Sequence, residues 1–106
     1  LVACHLLKAV EGWTDMGYGQ FALGYLRDKL KREVDFVVVK DGHPWVLVEV
    51  KKHEEKLSPN LAHYQRMTGA KHAFQVVLDA PYVNRNCFEV ETPVVVPART
   101  FLSQLV

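Results

Sequence analysis

Val34-Asp35-Phe36-Val37-Val38-Val39-Lys40 and Pro44-Trp45-Val46-Leu47-Val48-Glu49-Val50-Lys51 are two runs rich in β-branched and aromatic residues, with Asp41-Gly42-His43 between them. Branched and aromatic side chains fit the pleated surface of a strand better than the crowded turn of a helix. Asp-Gly tolerates the positive φ angles of a tight hairpin, so the two runs read as an antiparallel pair. Both runs are apolar on both faces, which places the hairpin inside a sheet covered on two sides.

Three charged residues interrupt this apolar pattern: Asp35, Glu49 and Lys51. Strand side chains alternate, so Glu49 and Lys51 share a face with Trp45 and Leu47, while Val46, Val48 and Val50 take the other. Whether Asp35 joins them depends on the register. A two-residue Asp41-Gly42 loop sets Lys40 opposite His43 and Asp35 opposite Val48, which leaves Asp35 on the wrong face. A three-residue loop, or a bulge, sets Asp35 opposite Glu49.

The rest of the chain builds layers around the hairpin. Residues 1–14 read as a helix with a narrow polar stripe of His5, Lys8 and Glu11 or Gly12. Its apolar residues run almost all round. The expectation is therefore that Leu1, Val2 and Leu6 pack on upstream sequence or on a second copy of the chain. Residues 20–27 read as a strand with Phe21, Leu23 and Tyr25 on one face, followed by a charged turn over 28–33 and, after the hairpin, a charged loop over 52–56. Ser58-Pro59 gives a helix cap and first position, and Gly69 gives its stop. Ala73 to Leu78 is a further strand, and residues 79–87, with Pro81 and Asn84-Arg85-Asn86, are a surface loop. Phe88 to Val96 holds one or two short strands broken by Pro93, and Pro97 opens a last short helix. The fold class is α/β, a mixed β-sheet flanked by helices.

The 106 residues make a single domain, 1–106. Apolar residues are 49 % and charged residues 24 %, which excludes disordered and fibrous classes. A net charge of +1 excludes a bulk positive field, so any basic surface is local. Cys4 and Cys87 form no disulfide framework, which points to a reducing, cytoplasmic compartment. Apolar runs of about four residues are too short to span a membrane. The opening within a helical pattern reads as a piece of a longer protein.

A lone carboxylate in a covered sheet loses several kcal/mol of hydration, so Asp35 and Glu49 need a cation or each other's ion partners. Two carboxylates on neighbouring strands can share Mg²⁺ or Mn²⁺, with the Val50 carbonyl as a further oxygen ligand. Lys51 would then orient or deprotonate the attacking water and offset transition-state charge. The competing reading is a structural ion pair. An acidic-x-Lys tripeptide arises about once by chance in such a chain, and Glu54-Glu55-Lys56 is a second copy. The five histidines fit no compact zinc spacing. Lys51, Lys52 and His53, with Lys56, Arg66 and Lys71, could track a phosphate backbone. Trp13, Trp45 and Tyr64 read as core residues rather than base-stacking platforms, and Glu33 as a solvated turn charge.

Glu33-Val34-Asp35-Phe36 followed by Leu47-Val48-Glu49-Val50-Lys51 resembles the PD-(D/E)XK nuclease-like superfamily, with Val34 at the proline position. More closely, His5 to Val10, Tyr25 to Asp28, Arg32 to Phe36 and Gly69 to Val77 resemble the uncharacterised C-terminal domain of prokaryotic AAA-type ATPases. The resemblance implies a restriction-endonuclease-like core of order αβββαβ at the C-terminus of an ATPase chain. It implies metal-binding carboxylates at Asp35 and Glu49, a catalytic lysine at Lys51, and an active-site glutamine at Gln65. Glu11 falls where some members hold a further acidic residue. The function expected is metal-dependent hydrolysis of DNA phosphodiester bonds. The alternative is a catalytically inactive module serving DNA or partner binding. The partners implied are DNA, the upstream ATPase region of the same protein and a second copy of the chain. No Gly-rich phosphate loop is present for ATP.

Overall fold

The computed structural model describes residues 2–27, 33–53, 56–81, 83 and 86–105; of residues 25–27, 33, 34 and 87 it describes the backbone alone. Leu1, most of the charged turn over 28–33 and the Asn84-Arg85 pair lie outside the described residues. The elements in chain order are α1 (Val2–Asp15), β1 (Phe21–Arg27), β2 (Glu33–Lys40), β3 (His43–Lys51), α2 (Pro59–Thr68), β4 (His72–Val77), a short 3₁₀ turn (Cys87–Glu89), β5 (Val94–Pro97) and α3 (Ala98–Ser103). The five strands form one mixed sheet in sequential order, β1-β2-β3-β4-β5. The first three are antiparallel, and β3, β4 and β5 are parallel.

One layer of core lies between the sheet and α1 with α3, built from Leu6, Val10, Val38, Val46, Val48, Phe74, Val76 and Phe101. The other lies under α2, with Val37, Leu47, Leu61, Tyr64 and Ala73. The central hairpin is covered on both faces, as its doubly apolar pattern requires. α1 packs more of itself than expected: Val2 is 5 % and Leu6 1 % exposed, so the chain's own core covers them. The apolar residues left on its outer face are Ala3, Cys4 and Leu7.

The hairpin register carries both of the alternatives. Asp41 and Gly42 have φ angles of 51° and 82°, a two-residue turn in the left-handed region, and Lys40 sits opposite His43. Val39 is opposite Pro44, but Val38 is opposite Val46, which leaves Trp45 as an extra residue. From there Val37 meets Leu47 and Phe36 meets Val48. The expected grouping of Trp45 with Glu49 and Lys51 is therefore corrected. The bulge turns Trp45 to the α1 face, where its ring meets Trp13, Phe21 and Phe88. Asp41 also fixes the turn to the start of β1: its carboxylate accepts the Gln20 N–H at 2.8 Å and its own N–H donates to the Gln20 carbonyl at 2.7 Å.

β1 keeps Phe21 and Leu23 against the α1 core, and its backbone register slips between Gly24 and Leu26; the face of the Tyr25 side chain lies outside the described residues. Residues 88–93 form no strand; Cys87–Glu89 is a 3₁₀ turn and pairing begins at Val94. Pro93 and the missing N–H it brings place that boundary.

α2 starts and stops as its sequence indicates. The Ser58 hydroxyl accepts the Asn60 N–H at 3.2 Å, Pro59 takes the first turn, and Gly69 closes the helix at φ 72°. No helix among the described residues is long and apolar enough to cross a membrane. Replacing the cap, Ser58→Ala, should lower the unfolding free energy by about 1 kcal/mol in a urea titration, while Ser58→Asp should hold it within about 0.5 kcal/mol of wild type. Equal losses in both variants would show that the hydroxyl does not cap α2.

Candidate functional site

The end of the sheet where β3 leaves for α2 gathers the polar residues. Glu49 pairs in register with Gln75 of β4, and Lys51 with Val77. Directly paired residues face the same side, so Glu49, Lys51 and Gln75 all point to the α2 layer. Glu49 is 8 % exposed and Gln75 is fully buried.

Gln75 was not singled out from the sequence, although one amide inside the otherwise apolar strand His72–Val77 was a visible signal. Its Oε1 accepts the Ser58 N–H at 2.8 Å and its Nε2 donates to the Lys56 carbonyl at 3.1 Å. It thus pins the segment leading into α2 beside Glu49, and the positive end of the helix begins at that corner.

Glu49 is incompletely satisfied. Its Oε1 lies 3.6 Å from the Lys51 ammonium, a loose pair whose lysine side chain is 30 % exposed. Its Oε2 is buried and has no hydrogen-bond partner among the described residues. A buried carboxylate oxygen without a donor carries the full cost of lost hydration, and native proteins keep few such atoms.

Asp35 stands at the same end of β2. The register that sets Phe36 opposite Val48 gives Asp35 and Glu49 the same strand parity. Asp35 is exposed, and its Oδ2 accepts the Val50 N–H at 2.7 Å. It also borders a groove of about 380 Å³ with Val2, Ala3, Phe36, Val50 and Leu78, in which Glu49 takes no part. The carboxylate therefore caps the hairpin ladder where β2 and β3 part. Val50 itself turns its side chain into the α1 core.

Gln65 is placed elsewhere. Its Nε2 donates to the carbonyls of Ala70, Lys71 and Glu91, the first two at 3.2 and 3.5 Å. The first two carbonyls precede β4, whose first residue His72 pairs with Val46, and the third lies just before β5. That is three strand positions, roughly 10 Å, from the Gln75 and Glu49 pair. Glu11 is exposed on α1, in the layer across the sheet from Glu49. The Glu33 side chain lies outside the described residues. The basic set divides as well: Lys51, Lys52, His53 and Lys56 lie near the Glu49 end, while Arg66 and Lys71 lie at the other end of α2. His53 Nδ1 contacts the Asp79 carboxylate at 2.6 Å. Among the described residues no three His, Cys, Asp or Glu side chains gather as a ligand set. A cation at Glu49 would therefore complete its shell with backbone oxygen and water, as Mg²⁺ commonly does.

Residues 1–98 match the family model described as Domain of unknown function (DUF4143), and the chain belongs to that family. No curated protein and no solved structure matches it.

The unpartnered oxygen has a measurable signature. Glu49→Met removes a poorly compensated buried charge at similar volume, and Lys51 retains access to water. In chelator this variant should be as stable as wild type or more so, by up to about 1 kcal/mol. A loss of more than about 1 kcal/mol in thermal or urea unfolding would mean that Glu49 is held by its ion pair with Lys51.

Proposed function

We propose that this DUF4143 domain is a divalent-metal-dependent, nuclease-like domain of the PD-(D/E)XK type that hydrolyses DNA phosphodiester bonds. The observation that carries the reading is the buried Oε2 of Glu49, without a hydrogen-bond partner among the described residues, beside Lys51. The donor set is all oxygen, which suits Mg²⁺ or Mn²⁺. Glu49 would hold the ion with Oε2, Asp35 with its carboxylate turned from the ladder's end, and Val50 with its carbonyl. When bound, such an ion polarises the scissile phosphate and lowers the cost of forming hydroxide.

The chain's own groups supply the rest. Lys51 is partly exposed and aimed along Glu49, so it can hold an attacking water by its lone pair and place positive charge against the phosphoryl oxygens. Gln75 and the Ser58 cap keep the start of α2, with its positive end, against this corner. Lys52 and Lys56 are exposed beside it and can meet the flanking phosphates. In this reading the domain is cytoplasmic and acts with an upstream ATPase region of the same protein, or as a pair of copies.

A second reading is a nuclease fold without catalysis, serving DNA or partner binding. The hydrogen bond from Val50 N–H to Asp35 Oδ2 at 2.7 Å favours it, because that carboxylate already has a backbone task.

Titration calorimetry with Mn²⁺ should show binding to wild type and about tenfold or greater loss of affinity in Glu49→Met, with a smaller loss in Asp35→Asn. Cleavage of plasmid or oligonucleotide DNA should depend on the ion and fall at least about a hundredfold in Lys51→Ala. Mn²⁺ binding without cleavage supports the second reading, and wild-type cleavage by Lys51→Ala excludes the proposed chemistry.

A further inference from the structure

Across the sheet from Glu49, and at the hairpin-turn end, a cleft of about 420 Å³ opens on the α1 face. Its walls are aromatic. Trp13 and Trp45 meet edge to face at 5.8 Å, Phe21 lies 5.2 Å from Trp13, and Phe88 stacks on Trp45 at 5.9 Å. All four are half-buried and pack against the α1-face core, as expected for Trp13 and Trp45, with part of each ring left at the cleft. The Trp45 bulge is what brings that ring to this face.

Positive charge converges on the same opening. The Lys40 ammonium sits 5.6 Å from the Trp45 ring centre and 5.8 Å from that of Phe21. Lys71 is on the rim, and its only ion pair among the described residues, with Glu91, is loose at 3.8 Å and solvated. His72 forms the floor at 3 % exposure. Its Nδ1 lies 2.9 Å from the Val90 carbonyl, and a carbonyl only accepts, so Nδ1 carries the proton. Nε2 has no hydrogen-bond partner among the described residues. A packing core needs neither two lysines nor an imidazole nitrogen left open.

We propose that this cleft binds a nucleobase together with its phosphate. The base stacks on the Trp13, Trp45 and Phe88 surfaces, His72 Nε2 accepts a hydrogen bond from a base amino group, and Lys40 and Lys71 meet the phosphate. The same chemistry is presented by a free nucleotide and by an unpaired nucleotide in a single strand. The site lies on the opposite face from Glu49 and needs no metal, so it is tested in chelator, where failure of the nuclease reading has no effect.

Trp13 and Trp45 are the chain's two tryptophans, so intrinsic fluorescence reports on the cleft directly. Adenosine monophosphate should quench it saturably, with adenosine about three- to tenfold weaker and inorganic phosphate without effect. Lys40→Ala and Lys71→Ala should weaken the monophosphate by a similar factor and leave adenosine unchanged; Lys71 is exposed, so its variant keeps the fold. A short oligodeoxyadenylate that binds at least about tenfold tighter than the monophosphate identifies a strand as the source, and equal or weaker binding identifies a free nucleotide. Absence of saturable quenching by monophosphate and oligonucleotide at millimolar concentration overturns the proposal, as does quenching that both lysine variants leave unchanged.

Discussion

The extra residue at Trp45 decides which layer every side chain of the central hairpin meets. Asp41-Gly42 makes the tightest loop available, and that loop alone would set the acidic residues of β2 and β3 on opposite faces. One inserted residue reverses the parity between Val39 and Val38. Below it, Val37 and Leu47 meet α2, and Phe36 and Val48 meet α1. Slipping the register back by one residue would put Glu49 and Lys51 under the Phe74 and Phe101 core, a burial of charge that no local contact could offset. The bulge is thus maintained by the chemistry at both ends of the hairpin.

Two different surfaces result from this one irregularity. On the α2 face, Glu49, Gln75 and the Ser58 cap share a corner. There the amide is saturated with hydrogen bonds and the carboxylate is not. Stability would be served by an apolar residue at position 49. An acid there, with a lysine two residues on, is what the proposed cation site would require at a cost in stability. On the α1 face, the same bulge delivers an indole to a ring cluster that four segments of the chain build: α1, β1, β3 and the 3₁₀ turn.

The sequence made the layered plan legible because its signals were local. The valine-rich hairpin, the Ser58-Pro59 start and the Gly69 stop each depend on a few neighbouring residues, and each sits where the sequence indicates. The shared face of Glu49 and Lys51 followed from strand alternation. What alternation could not show was its own interruption. Pro44 lacks an N–H for the ladder, a hint of irregularity in β3, but nothing local says that the next residue turns over. The Gln65 and Asp35 contacts were hidden for a different reason: their partners, Glu91 and Val50, lie 26 and 15 residues away. Gln75 was visible as a polar interruption of the apolar run Ala73 to Leu78, and His72 stood just before that run, yet their roles depend on the loops at 56–58 and at Val90.

If the open oxygen of Glu49 holds a divalent cation, crystals soaked in Mn²⁺ should show it by anomalous diffraction. A manganese peak is expected at coordination distance, about 2 Å, from Glu49 Oε2, with the Asp35 carboxylate released from the Val50 N–H and turned toward the same ion. Fully occupied manganese sites elsewhere, with Glu49 unchanged and the Asp35 to Val50 hydrogen bond intact, would contradict it.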